Sequence, residues 1–121
     1  MSHIHSIQMP IPPSVNSLWR ISGRRMYRSK KYMEWIADCT AHIKYIKQPM
    51  IDYPFDIEIV VGRPSKRRMD IHNRAKAVMD ILEHLSIFKD DCLANKITMQ
   101  WSNEIKHCEV KIWKSNLDSS L

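Results

Sequence analysis

Side chains with the spacing of metal ligands occur at two places in the second half of the chain. The segment Asp70–Asn73 carries an aspartate and a histidine, Asp70 and His72, one residue apart. These two side chains point the same way if the backbone there is extended, because side chains alternate along a strand. A second acidic pair, Asp90 and Asp91, follows the next predicted helix. A carboxylate cluster of this kind binds Mg²⁺ and leaves waters for substrate phosphate.

The same acids also have an ordinary structural interpretation. Asp70 can cap the second helix, and Asp90 and Asp91 can form a solvated turn, since both places favour Asp for local hydrogen bonding. If the helix between them doubles back, its far end need not lie near Asp70. Only the fold or a partner subunit then decides whether these groups share one ion.

A basic setting around Asp70 favours the metal interpretation. A chain that needed only positive charge would not place acids there. A nuclease needs both, because cations hold the phosphates and carboxylates hold the metal. The neighbouring cations are Arg63, Lys66, Arg67, Arg68, Arg74 and Lys76.

Lys76 is a candidate for transition-state stabilisation. It falls four residues after His72, which is one helical turn, so the two share a face. Its ammonium could stabilise charge that builds on a scissile phosphate. Asp80 is one turn further, and the alternative is an ordinary surface pair of Lys76 with Asp80 worth under about 1 kcal/mol.

The segment 20–31 is a second basic region, with six cations and no acid, and Trp19 and Tyr27 interleave with them. Phosphate contacts combined with base stacking would have this composition, and a merely solvated loop would look similar. The candidate phosphate contacts within it are Arg24, Arg25, Arg28 and Lys30.

Composition limits the class of protein. The 121 residues, taken as one domain spanning 1–121, carry a net charge of +6 with a pI near 9.4, which favours a polyanionic partner. Cys39, Cys92 and Cys108 are widely spaced, so a disulfide framework or structural zinc site is not expected and a reducing compartment fits. The N-terminus has no signal-peptide pattern, and no apolar run approaches the roughly 20 residues that span a bilayer. We expect a cytoplasmic protein.

Hydrophobic periodicity predicts an α/β (α+β) domain with the element order β-α-β-α-β-β: a mixed four-stranded sheet with two helices packed against it. The last two strands are expected to form an antiparallel hairpin, and residues 14–28 to form a loop. The predicted elements are strand Ile4–Met9, helix Lys30–Lys47 capped by Ser29, strand Phe55–Val61, helix Asn73–Leu85, and strands Ile97–Trp101 and Cys108–Ile112.

Two motifs make the chain resemble the RusA family of Holliday junction resolvases. The segment Pro12–Asn16 is similar to the PPSxN loop that follows the family's first strand. The segment Arg67–Asn73 resembles the family pattern R-x-D-x-D-N, and a Lys, an Asp and an Asp pair follow at similar spacing, here Lys76, Asp80 and Lys89–Asp91. Each piece alone is weak, but together, in order, they are fairly specific. The resemblance covers the chain from the first strand to about Asp91.

The resemblance implies small homodimers, often carried by phages and prophages, that bind four-way DNA junctions and nick two opposed strands with Mg²⁺. Asp70 and Asp91 match two metal-binding aspartates of the family, and Lys76 matches its catalytic lysine. The family's acidic residues come together at the dimer and give two sites.

His72 stands where the family pattern usually has a third aspartate. Imidazole is a poorer ligand than carboxylate for Mg²⁺ and a better one for Mn²⁺. Either His72 still binds metal and shifts the preference toward Mn²⁺, or Asp90 or Asp80 supplies the missing carboxylate, or the site is weakened and the protein binds junctions with little cleavage. We favour retained activity because Asp70, Lys76 and Asp91 are all present.

These observations lead to one interpretation: a metal-dependent crossover junction endodeoxyribonuclease, with Asp70, His72, Lys76 and Asp91 catalytic and Asp90 a possible further metal ligand. We expect four-way junction DNA and a second copy as partners, no membrane and no small-molecule substrate, in a bacterial or phage-infected cell. The alternatives are a branched-DNA-binding module without chemistry and an RNA binder, which would need no acid cluster. The expected DNA contacts are Asn16, Arg24, Arg25, Arg28, Lys30, Arg67, Arg68, Asn73 and Arg74.

Overall fold

The computed structural model describes residues 5–14, 17–43, 49–66 and 69–116, and these ranges contain six strands and two α-helices. Short 3₁₀ helices, Ile71–Arg74 and Asp91–Leu93, precede the second α-helix and the fifth strand. Within the described ranges, neither α-helix has the length and apolarity to cross a membrane. The main elements are β1 (His5–Met9), β2 (Trp19–Ser22), β3 (Arg25–Arg28), α1 (Lys30–Ile43), β4 (Phe55–Gly62), α2 (Ala75–His84), β5 (Ala94–Ser102) and β6 (Cys108–Lys114).

Four of the strands form one mixed sheet in the order β1-β6-β4-β5. Strand β6 is antiparallel to both of its neighbours, β1 and β4, whereas β4 and β5 run parallel. The parallel pair is joined through α2, which is the usual crossover connection for parallel neighbours. The predicted α+β domain with a mixed four-stranded sheet and two helices is therefore confirmed.

The expected hairpin between the last two strands is wrong, because β4 lies between β5 and β6. Burial gives the physical reason. Strand β6 buries Cys108, Val110 and Ile112 completely, so it belongs in the sheet interior, whereas most residues of β5 are exposed and suit an edge. Sequence alternation identified both strands and carried no information about which strand each would pair with.

Gly62 allows the chain to pass from β5 to β6 across the end of β4. Its amide donates a hydrogen bond to the His107 carbonyl at 2.8 Å. A Cβ at this position would collide with the backbone oxygens of Ile105 and His107. Only glycine therefore tolerates this close approach of two backbone segments.

The core lies between the sheet and the apolar stripes of the helices. Helix α1 buries Tyr32, Trp35, Cys39 and Ile43 at three- and four-residue steps, as the period predicted. Strand β4 buries every second residue from Phe55 onward, and the Phe55 and Phe88 rings stack with centroids 4.8 Å apart.

Helix α1 begins where its sequence predicted. The Ser29 hydroxyl oxygen accepts a hydrogen bond from the Tyr32 amide at 3.1 Å, which caps the helix. The same hydroxyl donates to the Ser17 carbonyl, so the cap also fixes the segment that leads into β2. The helix is described to Ile43, and the predicted end at Lys47 lies outside the described residues.

The expected loop over residues 14–28 is wrong, because this segment contains the antiparallel hairpin of β2 and β3. The turn begins at Gly23, whose φ of +62° suits the first position of a two-residue hairpin turn. All eight strand residues are exposed, so the sequence has no alternation of buried and exposed positions from which to recognise a strand.

Candidate functional site

Three carboxylates meet where α2 ends and β5 begins. The side chains of Glu83, Asp90 and Asp91 each offer an oxygen, and these atoms all lie within 4.8 Å of one another. A hydrogen bond fixes the arrangement: the Asp91 amide donates to Oε1 of Glu83 at 2.8 Å. We call these three residues the acidic cluster.

The local structure around Asp90 favours the charged form of its carboxyl group. It caps the 3₁₀ helix Asp91–Leu93, and its Oδ1 accepts a hydrogen bond from the Cys92 amide at 2.9 Å. This bond to the charged form lowers the pKa of Asp90. The predicted solvated turn is therefore present, and it also places a carboxylate in the cluster.

Asp91 is the carboxyl group whose charged form the cluster disfavours. Its pKa is raised, first by partial desolvation and then by the neighbouring Glu83 and Asp90. A bound cation would relieve this repulsion. The donor set contains only carboxylate oxygens, the ligands that hard divalent cations such as Mg²⁺, Mn²⁺ and Ca²⁺ prefer.

One face of α2 carries Lys76 near its start and a residue of the acidic cluster near its end. Lys76, Asp80 and Glu83 follow at four- and three-residue steps, so their side chains neighbour one another. Lys76 Nζ lies 3.2 Å from Asp80 Oδ2, with the two side chains 58% and 39% exposed. The ordinary surface pair is thus present, and a catalytic role for Lys76 stays a prediction.

Asp70 and His72 lie at the opposite end of α2 from the cluster. Asp70 caps the 3₁₀ helix Ile71–Arg74 by accepting a hydrogen bond from the His72 amide on Oδ1 at 3.0 Å. Helix α2 has ten residues and is about 15 Å long. Among the described residues of one chain, the group that could hold a metal does not include Asp70 or His72, and their sharing of an ion with Asp91 stays a prediction.

Arg74 is half-buried and contacts distant parts of the fold. Its guanidinium donates to the Pro12 carbonyl and lies 6.0 Å from the Trp101 ring centroid. Partial burial lowers its pKa, and within the described chain its buried Nε has no hydrogen-bond partner. The predicted DNA contact through Arg74 stays a prediction, whereas its structural contacts join the segment after β1 to the end of β5.

Several of the predicted DNA contacts lie together on the hairpin. Arg24, Arg25 and Arg28 are exposed there, and Lys30 follows at the start of α1, 3.9 Å from Glu34. The other predicted DNA contacts are more scattered: Asn73 is half-buried in the 3₁₀ helix before α2, while Asn16, Arg67 and Arg68 lie outside the described residues.

A cleft of about 310 Å³ joins the hairpin to α2. Trp19 contacts the Tyr32 ring edge-on, with centroids 6.3 Å apart, and the Arg28 guanidinium lies over the same ring at 5.7 Å. Asp80 and Glu83 of α2 also line this cleft. Cations, aromatic rings and carboxylates therefore meet in one cleft.

Glu83 is the member of the cluster that the sequence reasoning missed. It lies three residues after Asp80 on the face already recognised for Lys76, so the helical period contained the signal. The missing information was the return of the chain after α2, which brings Asp90 and Asp91 back to the end of that face.

Comparisons of the sequence with known proteins find one matching family profile and several relatives. A sequence profile described as Endodeoxyribonuclease RusA matches residues 10–113, which include the hairpin and the acidic cluster. The crossover junction endodeoxyribonuclease rusA of Enterobacteria phage HK97 is 31% identical over 84 residues, which are 69% of this chain and 70% of that protein. The crossover junction endodeoxyribonuclease RusA of Escherichia coli strain K12 is 34% identical over 91 residues, 72% and 73% of the two chains. The protein of the same name from Aquifex aeolicus strain VF5 is 28% identical over 87 residues, 71% and 68% of the two chains.

Proposed function

We propose a function for this chain from the premise that it belongs to the RusA family of endodeoxyribonucleases. The chain binds four-way DNA junctions and hydrolyses phosphodiester bonds near the branch point. As a homodimer it resolves the junction by paired nicks during recombination and repair. The reaction depends on a divalent cation, Mg²⁺ or Mn²⁺.

The observation that supports this proposal is the acidic cluster at the edge of a basic surface. Carboxylates alone would repel DNA, and cations alone would bind it without chemistry. Here Arg28 of the hairpin and Glu83 of the cluster line one cleft. A DNA backbone held by the hairpin would therefore pass the carboxylates.

Each residue of the site has a role in this reaction. Glu83, Asp90 and Asp91 would hold the cation, whose chemistry would be to lower the pKa of water and to neutralise charge on the scissile phosphate. Lys76 exchanges its contact with Asp80 for the phosphate and stabilises the charge that develops in the transition state. The expected products are a 5′-phosphate and a 3′-hydroxyl.

In this proposal, Asp70 and His72 contribute to the metal site of a second copy of the chain. A two-fold dimer can bring the far end of one α2 to the acidic cluster of the other, which would complete two equivalent sites. Two sites related by a two-fold axis match a substrate with two-fold symmetry and account for paired nicks. His72 in such a site favours Mn²⁺ over Mg²⁺.

A second candidate function is junction binding without cleavage. It is favoured by the position of Asp70 and His72 outside the acidic cluster and by the histidine at a position where the family usually has an aspartate. The same fold and basic hairpin would then hold branched DNA and protect it.

Binding and cleavage of a synthetic four-way DNA junction separate these candidates. We expect retarded complexes in EDTA, and nicked products in Mg²⁺ or Mn²⁺ but not in EDTA. Complexes without nicks in either metal would support the second candidate. Stronger binding to an RNA duplex than to the DNA junction would contradict both.

A further inference from the structure

The β2–β3 hairpin exposes large apolar side chains that the protein itself does not cover. Ile21 and Met26 are cross-strand partners, and they are 74% and 65% exposed. A two-stranded hairpin is at best marginally stable in water, and an apolar pair near its tip gains little from remaining in solvent. This exposure indicates that a binding partner contacts the hairpin.

The charge of the hairpin identifies the kind of partner. Between residues 17 and 33 the chain has six Lys and Arg residues and no Asp or Glu. Packing of two such hairpins from two copies would bring their cations together, which disfavours a self-association surface. A polyanion removes that repulsion, and nucleic acid combines a polyanionic backbone with apolar base faces.

Both faces of the hairpin carry cations, and one of them also carries the apolar pair. Side chains alternate along a strand and cross-strand partners share a face, so Ile21 and Met26 lie on one face with Arg28 nearer the base, while Arg20 and Arg25 lie on the other. A two-stranded ribbon fits the major groove of DNA, and proteins that kink DNA insert Ile, Leu, Met or Phe between base pairs. The hairpin has both the shape and the side chains for this kind of contact.

The base of the hairpin connects this surface to the acidic cluster. Trp19 and Arg28 both contact the Tyr32 ring, and the Ser29 amide donates to the Leu18 carbonyl at 2.9 Å. Arg28 and Glu83 both line the cleft between the hairpin and α2. The base of the hairpin is therefore held close to the carboxylates.

We infer that the Ile21–Met26 pair is a wedge that stacks on the base pairs exposed at a DNA branch point, while the arginines of the hairpin hold the phosphates. At the branch point of a four-way junction, stacking between arms is interrupted, so an apolar pair can reach base faces there at a lower unstacking cost than in continuous duplex. The wedge makes the protein selective for branched over linear DNA. This inference rests on the proposed function and adds to it the residues that recognise the branch.

The test compares wild type with the double variant Ile21→Ser/Met26→Ser on a junction that carries 2-aminopurine beside the branch point, in EDTA so that no strand is cut. Both side chains are exposed, so the variant should have the same Tm as the wild type. We expect wild type to raise the 2-aminopurine fluorescence by unstacking it. The double variant should lose this rise and bind the junction about tenfold more weakly, with a smaller change on linear duplex. Met50→Ser, a control at a separate exposed methionine, should behave as wild type.

Each other outcome has a definite meaning. Equal junction affinity and equal fluorescence for wild type and the double variant would overturn the inference and leave the proposed function intact. A double variant that sediments as a monomer when wild type is a dimer would assign the pair to a protein interface and also overturn it. A wild-type protein that does not bind the junction would refute the proposed function, and the inference with it.

Discussion

Replacement of Glu83 by Gln tests whether the acidic cluster binds the metal. The Gln amide oxygen can still accept the hydrogen bond that the Asp91 amide donates to Oε1 of Glu83 at 2.8 Å. The local backbone is therefore retained, and the substitution removes one negative charge. Without metal, the loss of repulsion should leave stability unchanged or raise it by under about 1 kcal/mol, since these groups are solvated.

The effect on metal binding follows from linkage. A cation at ten times its dissociation constant stabilises the folded protein by about 1.4 kcal/mol. Unfolding of 121 residues has an entropy of roughly 0.25 kcal/mol per kelvin, so Tm should rise by about 6 °C in wild type. Loss of one of three carboxylates should weaken binding at least about tenfold. At the same metal concentration, the rise in Glu83→Gln then falls to about 2 °C.

Calorimetry of wild type and Glu83→Gln in EDTA, Mg²⁺ and Mn²⁺ measures these shifts, and junction cleavage should fall in parallel. Glu104→Gln is the matched control, since Glu104 is an exposed glutamate on the turn between β5 and β6 and should respond to metal as wild type does. A metal-induced rise of wild-type size in Glu83→Gln, together with undiminished cleavage, would refute the assignment of Glu83 as a ligand.

Four further predictions concern the remaining site residues. Asp70→Asn should abolish cutting and retain junction binding, and gel shifts that show lost binding would make Asp70 purely structural. His72→Asp should move the metal preference of cleavage toward Mg²⁺, measured as the ratio of rates in Mg²⁺ and Mn²⁺. The raised folded-state pKa of Asp91 means that its contribution to stability is present below the pKa of the unfolded chain and is lost as pH rises through the folded-state value. In metal-free protein, the Tm of Asp91→Asn minus the Tm of wild type should therefore increase as pH rises from about 4 to 7. A Tm difference that does not change with pH would contradict the raised pKa. Arg74→Ala should lose about 2 kcal/mol of stability in urea unfolding, because the contacts with Pro12 and Trp101 disappear.

The parts of the fold that sequence could predict are those set by local periodicity and caps. Strand β4 alternates from Phe55 onward, and Ser29 caps α1 as expected. The sheet neighbours of β5 and β6 could not be predicted, because they depend on which strand fills the sheet interior. The β2–β3 hairpin could not either, since its strands are exposed on both faces and only Gly23 marked a turn.

The candidate site could be predicted only where it depends on local sequence spacing. The spacing of Asp90 and Asp91 and the basic setting indicated metal and phosphate chemistry, but spacing does not report distance between the ends of a helix. The chain returns after α2 to bring Glu83 into the cluster, and it leaves Asp70 at the other end. Local capping fixes Asp70 and Asp90 in position, so the structural and catalytic interpretations of these aspartates are compatible.

Cleavage of a four-way DNA junction labelled in turn at each 5′ end tests the central claim most directly. The assay uses wild type and Asp91→Asn, in Mg²⁺ and separately in Mn²⁺, with binding measured on the same junction in EDTA. We predict paired, symmetrically placed nicks with wild type in at least one metal, and wild-type binding without nicks for Asp91→Asn. Tight binding by wild type without nicks in either metal, or cutting by Asp91→Asn at the wild-type rate, would contradict the account.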